Sequence, residues 1–332
     1  LVLTFFPVGA GVNPAAAATP GTLTIGGTTD GDVPTPSGTL YTFPSDGTTL
    51  TGAQVELLLR DGSVTLYASR ITIQSDIGWA NSNSLTIKST GNVLVNSGAD
   101  ITSVGGDIIV WSDSDADGTA SLAGGSIAID TGSVISSGAA GGGDIVLAGG
   151  LDSVGADGMP DGYAFGAFAT GHDAWSGAGC GTAGTAGVYL DGVEIGAGTG
   201  DVVIRGHGTG SAVNCQMGVW FNADSDISGG SVLIRGNGST NAGVNSSSNW
   251  GVGIIESAVE ASQSIDIEGL GGQSSSLTDT NQHGVVVGSA GVPGSRVEAT
   301  GAGTVAIRGT GGGRAGTGDG SGVIVYPNQT IQ

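Results

Sequence analysis

Asp201-Val-Val-Ile-Arg-Gly-His-Gly208 returns three times further along the chain, as Ser231-Val-Leu-Ile-Arg-Gly-Asn-Gly238, Ser264-Ile-Asp-Ile-Glu-Gly-Leu-Gly271 and Thr304-Val-Ala-Ile-Arg-Gly-Thr-Gly311. In each copy two aliphatic residues stand two positions apart: Val202 and Ile204, Val232 and Ile234, Ile265 and Ile267, Val305 and Ile307. Side chains of a strand alternate between faces, so each pair shares one face. Stacked in register, the pairs make aliphatic columns. The opposite face carries Arg205, Arg235, Glu268 and Arg308, where Glu268 between two arginines is attractive. Arg205 beside Arg235 is a small like-charge cost that an exposed surface tolerates.

A second strand is interleaved with the first: Gly187-Val-Tyr-Leu, Gly218-Val-Trp-Phe, Gly251-Val-Gly-Ile, Gly284-Val-Val-Val and Gly322-Val-Ile-Val, with glycines 31, 33, 33 and 38 residues apart. A short third strand falls at Val193 to Ile195, Val259 to Ala261 and Val297 to Ala299, and a Gly/Ser/Asn loop of variable length closes each unit. Upstream the period is shorter. Ser63-Val-Thr-Leu66, Ser84-Leu-Thr-Ile87, Asp107-Ile-Ile-Val110, Ser126-Ile-Ala-Ile129 and Asp144-Ile-Val-Leu147 read as strands, with Leu85 and Ile108 23 residues apart, about one bare coil. No such unit can bury its own apolar face, so the units must stack. The pattern predicts an all-β chain folded as a right-handed parallel β-helix, a solenoid whose glycines turn φ > 0 corners. Residues 53–60 have helical flavour and read either as a plain strand or as a short helix capping the solenoid.

Composition supports this. Of 332 residues 67 are Gly, without the Gly-X-Y period of collagen. The many Val and Ile residues set between those glycines argue against a disordered linker. Acidic residues outnumber basic ones 29 to 8, and Lys88 is the sole lysine. The net charge of −21 speaks against nucleic acid or an anionic membrane as partner. It suits cation binding, or plain solvation of a sheet-rich surface. No run approaches the ~20 apolar residues of a membrane span. Leu1-Val-Leu-Thr-Phe-Phe-Pro7 with Ala15 to Ala18 reads as the tail of a signal peptide, without a basic n-region.

The stretch Leu50-Thr-Gly-Ala-Gln-Val-Glu-Leu-Leu-Leu-Arg-Asp-Gly-Ser-Val-Thr-Leu66, followed by Ile77-Gly-Trp79 and Ser84-Leu-Thr-Ile-Lys-Ser89, resembles the repeat regions of filamentous-haemagglutinin-like bacterial exoproteins. The later Gly-Val strands and Ile-Arg-Gly-x-Gly turns are similar to the Gly-rich arrays of the same adhesins. The resemblance spans roughly residues 50 to 327. It implies a right-handed parallel β-helix, export from a bacterium, and work in adhesion, biofilm or surface filaments. Of that family's Asn-Pro motifs only Asn13-Pro14 has a counterpart.

Candidate sites are few. Asp113-Ser-Asp-Ala-Asp-Gly118 sets Asp113, Asp115 and Asp117 at positions 1, 3 and 5 of a calcium loop, with Gly for the sharp turn. Gly124 stands where an EF-hand has its Glu, so a full EF-hand is excluded. Two readings stay open, a solvated acidic loop and a partial calcium loop completed by carbonyls, Ser121 or water. Calcium is the one cofactor the sequence raises. Asp152 to Asp161 resembles a calcium loop more loosely, with three carboxylates. Cys180 and Cys215 lie 35 residues apart, close to one coil, so stacked loops would bring them within disulfide reach in an oxidising compartment; two free thiols are the alternative.

The outward positions of the Gly-Val strands, Tyr189, Trp220, Gly253, Val286 and Ile324, form an apolar stripe. Such a stripe is either covered by a loop, for which residues 151–186 are the candidate, or serves as an interface with another subunit or a glycan. Enzymatic activity is not expected. Gly206-His207-Gly208 matches one motif of polygalacturonase-type β-helices, but no Asp-Asp pair exists to protonate a leaving group and activate water. His172 and His283 read as isolated loop residues.

The chain therefore divides into a Gly/Thr/Pro-rich extension or arm (1–48), a β-helix of short coils (49–150), an insertion (151–186) and a β-helix of about 33-residue coils (187–332). The expected role is structural or adhesive, on or outside a bacterial cell, with self-association head-to-tail or laterally. A glycan- or host-surface-binding module, sensitive to Trp220→Ala, is the second reading. A polysaccharide-degrading enzyme is the third.

Overall fold

The computed structural model describes residues 20–28, 31–116, 125–138, 141–154, 157–166, 185–208, 216–239, 249–272, 281–313 and 320–332. They form a parallel β-helix with three faces. The first face is a ten-strand ladder that runs from Thr48–Leu50 through Thr22–Ile25, Arg70–Ile73, Val93–Val95, Ile127–Ile129, Thr185–Asp191, Gln216–Asn222, Val252–Ile254 and Val285–Val287 to Val323–Val325. The second begins at Ile77–Trp79 and passes through Ile101–Ser103, Val134–Ser136 and Glu194–Gly196. The third runs from Leu40–Thr42 through Val64–Ala68, Leu85–Ser89, Ile108–Ser112 and Ile145–Gly149 to Val202–Gly208. Downstream the second and third faces merge at the corner, because Asp226–Asn237 and Ala258–Leu270 each run continuously across both, with a register shift between Gly229 and Ser231.

The columns read from sequence are the columns of the structure. Ile204 pairs with Ile234, Ile234 with Ile267 and Ile267 with Ile307, and the third strands Ile195, Ile227, Val259 and Val297 stack likewise. Their side chains join Val188, Val219, Val252 and Val285 of the first face in one continuous core. The outward column Arg205, Arg235, Glu268, Arg308 is also in register. Its chemistry is wider than expected, because Asp266 takes both arginines, Arg235 at 2.8 Å and Arg308 at 2.6 Å, while Glu268 meets Arg235 at 3.1 Å.

The repeat glycines act mainly by allowing close approach. A Cβ on Gly206, Gly236, Gly269 or Gly309 would sit 2.1, 2.0, 2.0 or 1.7 Å from the carbonyl oxygen of Gly218, Gly251, Gly284 or Gly322. The glycine closing each x-Val-x-Ile-x-Gly strand thus abuts the glycine opening the next Gly-Val strand. The third and first faces pinch together along this seam, and only residues without side chains fit it.

Part of the acidic excess is structural. Asp107 Oδ1 accepts from Asp144 N at 2.9 Å, Asp144 Oδ1 from Asp201 N at 2.8 Å, and Asp201 Oδ1 from Ser231 N at 2.9 Å. Each carboxylate satisfies the first backbone donor of the neighbouring coil, at a corner where the ladder leaves that donor unpaired.

The N-terminal segment departs from expectation. Residues 1–48 were expected as an arm. Two of its segments are rungs of the solenoid: Leu40–Thr42 pairs with Val64–Ala68, and Thr22–Ile25 lies between Thr48–Leu50 and Arg70–Ile73, with Leu23 and Ile25 sealed in the core. Alternating β-prone residues bury one face there as in any other rung. Of the two readings of residues 53–60, the helix holds. Gly52–Asp61 is capped by Thr51, whose hydroxyl accepts from Gln54 N at 3.2 Å while Gln54 Oε1 accepts from Thr51 N at 2.9 Å. It stands over the end of the second face: Glu56 Oε1 accepts from Gly78 N at 2.9 Å, and Leu59 O accepts from Asn81 and Asn83. Val55 and Leu59 close the core from above.

Candidate functional site

The third face is covered on its outside in the middle of the chain. Ile109, Trp111, Val146 and Ala148 point outward, yet all are buried, with Met159 and Val203 packed against them. Met159 comes from the start of the insertion, which leaves at Gly149 and returns through an antiparallel bridge of Gly149 with Gly162. Ala164–Gly166 then pairs with Gly206–Gly208, continuing the rung that Ile145–Gly149 began. The intervening loop is tied by its own carboxylates: Asp161 Oδ2 accepts from Ser153 N at 2.6 Å and from Val154 N, Asp152 Oδ2 from Gly158 N at 2.9 Å, and Asp157 Oδ1 from Met159 N at 3.0 Å. The backbone donors of its own loop and the guanidinium of Arg205 hold the Asp161 carboxyl below the usual carboxylate range.

Between this loop and the upstream rungs lies a cavity of about 510 Å³. Its floor is the outward side of three rungs, with Thr65 and Thr86 in one column and Lys88 and Trp111 in the next. Leu40 borders it at one end, and Ser114, Leu151 and Asp152 wall it. Lys88 Nζ sits 3.6 Å from the centroid of the Trp111 ring, a cation–π contact. Trp111 is held by its indole N–H, which donates to Gly150 O at 2.6 Å. Burial pushes the Lys88 ammonium below its ordinary pKa, against the opposing charge of Asp152. Burial also raises Tyr67, the next residue in that column, with the Asp115 charge adding to it and Ser114 opposing. Sequence reasoning missed Lys88, Trp111 and Ser114. The one available signal was that the sole lysine of a −21 chain lies on an outward strand position.

The expected site residues fare unequally. Asp113 is buried with φ 48°, and its carbonyl accepts from Ala116 N at 2.9 Å and Gly150 N at 3.2 Å. Asp115 is exposed, and Asp117 lies outside the described residues. Among the described residues no three His, Cys, Asp or Glu side chains gather as a metal site. Cys180 and Cys215 lie outside the described residues.

Of the two readings of the apolar stripe, cover holds at Tyr189, Trp220 and Val286, with Trp250 part of that cover, and the interface reading of these three is corrected. Tyr189, Trp220, Gly253, Val286 and Ile324 are in register, but Tyr189, Trp220 and Val286 are buried in a second core with Met217, Trp250 and Ile255. Trp250 stacks on Trp220 at 5.2 Å between centroids, and a side chain at 253 would meet both rings within 3.1 Å. The rings fill the space Gly253 leaves, so Trp220 offers no open face to a sugar or subunit. Ile324 is half-buried at the last rung. His207 is in a strand, stacked 4.6 Å from Phe165, with Nδ1 2.6 Å from Gly208 O. Burial lowers its pKa, as it does for His283. No described helix is long and apolar enough to cross a membrane. No family model, curated protein or solved structure matches the chain.

Proposed function

We propose that the chain is a non-enzymatic structural or adhesive β-helix of the bacterial surface or extracellular space, a rod extended through the Val323–Val325 rung. One observation carries this reading. Val285 and Val287 are fully buried, whereas Val323 and Val325, the same core positions one rung on, are 39% and 45% exposed. Ile331, stacked on the buried Val297, is 40% exposed. Strand edges with apolar residues in the core positions are templates for a further parallel strand. The helix Gly52–Asp61 occupies the second face at the other end. Growth by a second copy would proceed from the Val323–Val325 rung. A net charge of −21 opposes lateral clumping of such rods.

Micrographs and sedimentation of the purified chain test the reading. End-to-end particles are expected, reverting to single rods in Val325→Lys. Dispersed single rods of the wild type at high concentration would end it.

A further inference from the structure

His207 and His283 hold their ring protons on opposite nitrogens. His207 Nδ1 lies 2.6 Å from Gly208 O, so it carries the proton and donates. His283 Nδ1 accepts from Ser321 N at 3.2 Å. A backbone N–H can only donate, so Nδ1 of His283 is bare and its ring proton is on Nε2. Protonating His207 adds a proton at Nε2 and leaves its bond in place. Protonating His283 sets one N–H against another and breaks the bond.

That bond fastens the strand Val323–Val325. The column in front of the Gly-Val strands reads Met217, Trp250, His283, Ser321, and each rung is tied to the next by its backbone: Gly218 N donates to Trp250 O, Gly251 N to His283 O and Gly284 N to Ser321 O, all at 3.0 Å. At His283 a side chain adds a tie to the following rung. Met217 has no ring nitrogen and the Trp250 indole N–H only donates, so neither can switch in this way.

The surroundings leave an imidazolium uncompensated. His283 is 7% exposed. Trp250 faces it from the rung before, at 6.3 Å between centroids, and Ser321 from the rung after. Across the seam the strand Thr304–Thr310 reaches this corner with Thr310, whose N would lie 2.5 Å from a Cβ on Gly284. Tyr326, beyond Val325, packs into the Trp250 core. No described charged group faces the ring, and burial lowers its pKa. An N–H aimed at Nδ1 favours the neutral ring as well.

We infer that His283 is an acid-sensitive latch, whose protonation at Nδ1 frees Ser321 N and loosens the Val323–Val325 strand from Val285–Val287. Its bearing on growth rests on the assembly reading above, since a second copy would pair with that strand. The contribution of the latch is present in full above about pH 6.5, the unfolded value, and is lost as pH falls towards the lower folded one. Rods therefore extend at neutral pH and stop extending in acid.

Hydrogen exchange of the full chain, expressed as protection factors at about pH 7.5 and about pH 5, tests the latch. Protection of residues 321–325 is expected to fall about tenfold or more in acid, the weight of one hydrogen bond lost with its donor left unpaired. His283→Asn keeps an acceptor, Oδ1, in the place of Nδ1 and does not titrate, so its protection should be the same at both pH values. His283→Leu has no acceptor and should be poorly protected at both; should it fail to fold, the Asn variant decides. His207→Asn should behave as the wild type does at these residues. The inference is overturned if wild-type protection at residues 321–325 is unchanged in acid, or if His283→Asn loses it equally. Micrographs in the same buffers separate the two proposals. Rods that never join while the strand loosens in acid end the assembly reading and uphold the latch. Rods that join equally at both pH values, with no loosening, end the latch and uphold assembly.

Discussion

At one end of the solenoid Leu50, Val55 and Leu59 are fully buried; at the other, Val323 and Val325 stand substantially open. Sequence pattern does not distinguish them, since both ends carry aliphatic residues at core positions. The difference is what lies beyond. The helix Gly52–Asp61 spans the end of the second face and closes the core, whereas nothing among the described residues lies over the Val323–Val325 rung. The third face shows the same gradient, with Ile265 and Ile267 buried and Val305 and Ile307, one rung further, only half-buried. In a solenoid each rung is solvent cover for the last, so stability at any rung depends on having two neighbours.

Three experiments would break or sharpen that contrast. The largest effect is expected from truncating the core at the two ends. Leu59→Ala leaves a cavity under the helix and should cost about 2–5 kcal/mol, while Val325→Ala, already in contact with water, should cost well under ~1 kcal/mol. Denaturant melts that gave equal losses would erase the distinction between a closed and an open end. Next, Thr51→Ala removes the hydroxyl that accepts from Gln54 N and should destabilise the helix-covered end by about 1 kcal/mol. Hydrogen exchange should then quicken in residues 52–61 and 77–79 and leave the rungs after residue 216 unchanged. The smallest effect is one of pH. His207 and His283 have pKa values lowered by burial, so the folded chain binds fewer protons than the unfolded one. Stability is therefore lost as pH falls below about 6.5, the unfolded value, towards the folded ones. The loss should appear as faster exchange around residues 202–208 and 281–287. His207→Asn, borrowing the residue found one rung on at Asn237, should flatten the pH dependence at the first of these. An unchanged slope would mean that His207 is not the group responsible.

How legible this fold was depended on how many neighbours a residue needs to explain it. The Val202/Ile204 columns and the Arg205 to Arg308 register follow from period-two alternation and a fixed repeat, and both appear as read. The double role of Asp266 was missed because it pairs diagonally, two positions before Glu268, a contact that register alone does not rank. Tyr189 and Trp220 were legible as an apolar stripe, but the sequence left both cover and interface open. Only the fit of Trp250 and Trp220 into the gap at Gly253 decides for cover. The cavity was the least legible feature. Lys88 and Trp111 belong to adjacent rungs, but Asp152 arrives on a loop that returns through an antiparallel bridge, and no repeat encodes that return. The corner aspartates were counted as surface charge, although Asp107, Asp144 and Asp201 each receive a backbone N–H.

The placement of Thr22–Ile25 between Thr48–Leu50 and Arg70–Ile73 sets a timetable for the growing polypeptide. This strand leaves the ribosome before either of its flanking partners exists, and it must wait for residue 73 to emerge before both its edges are paired. Every later first-face strand finds one flank already laid down and adds to it as to a template. Among the described first-face strands, the ladder of Thr22–Ile25 with Thr48–Leu50 therefore closes its loop without an earlier strand as template, whereas each later strand adds to one already in place.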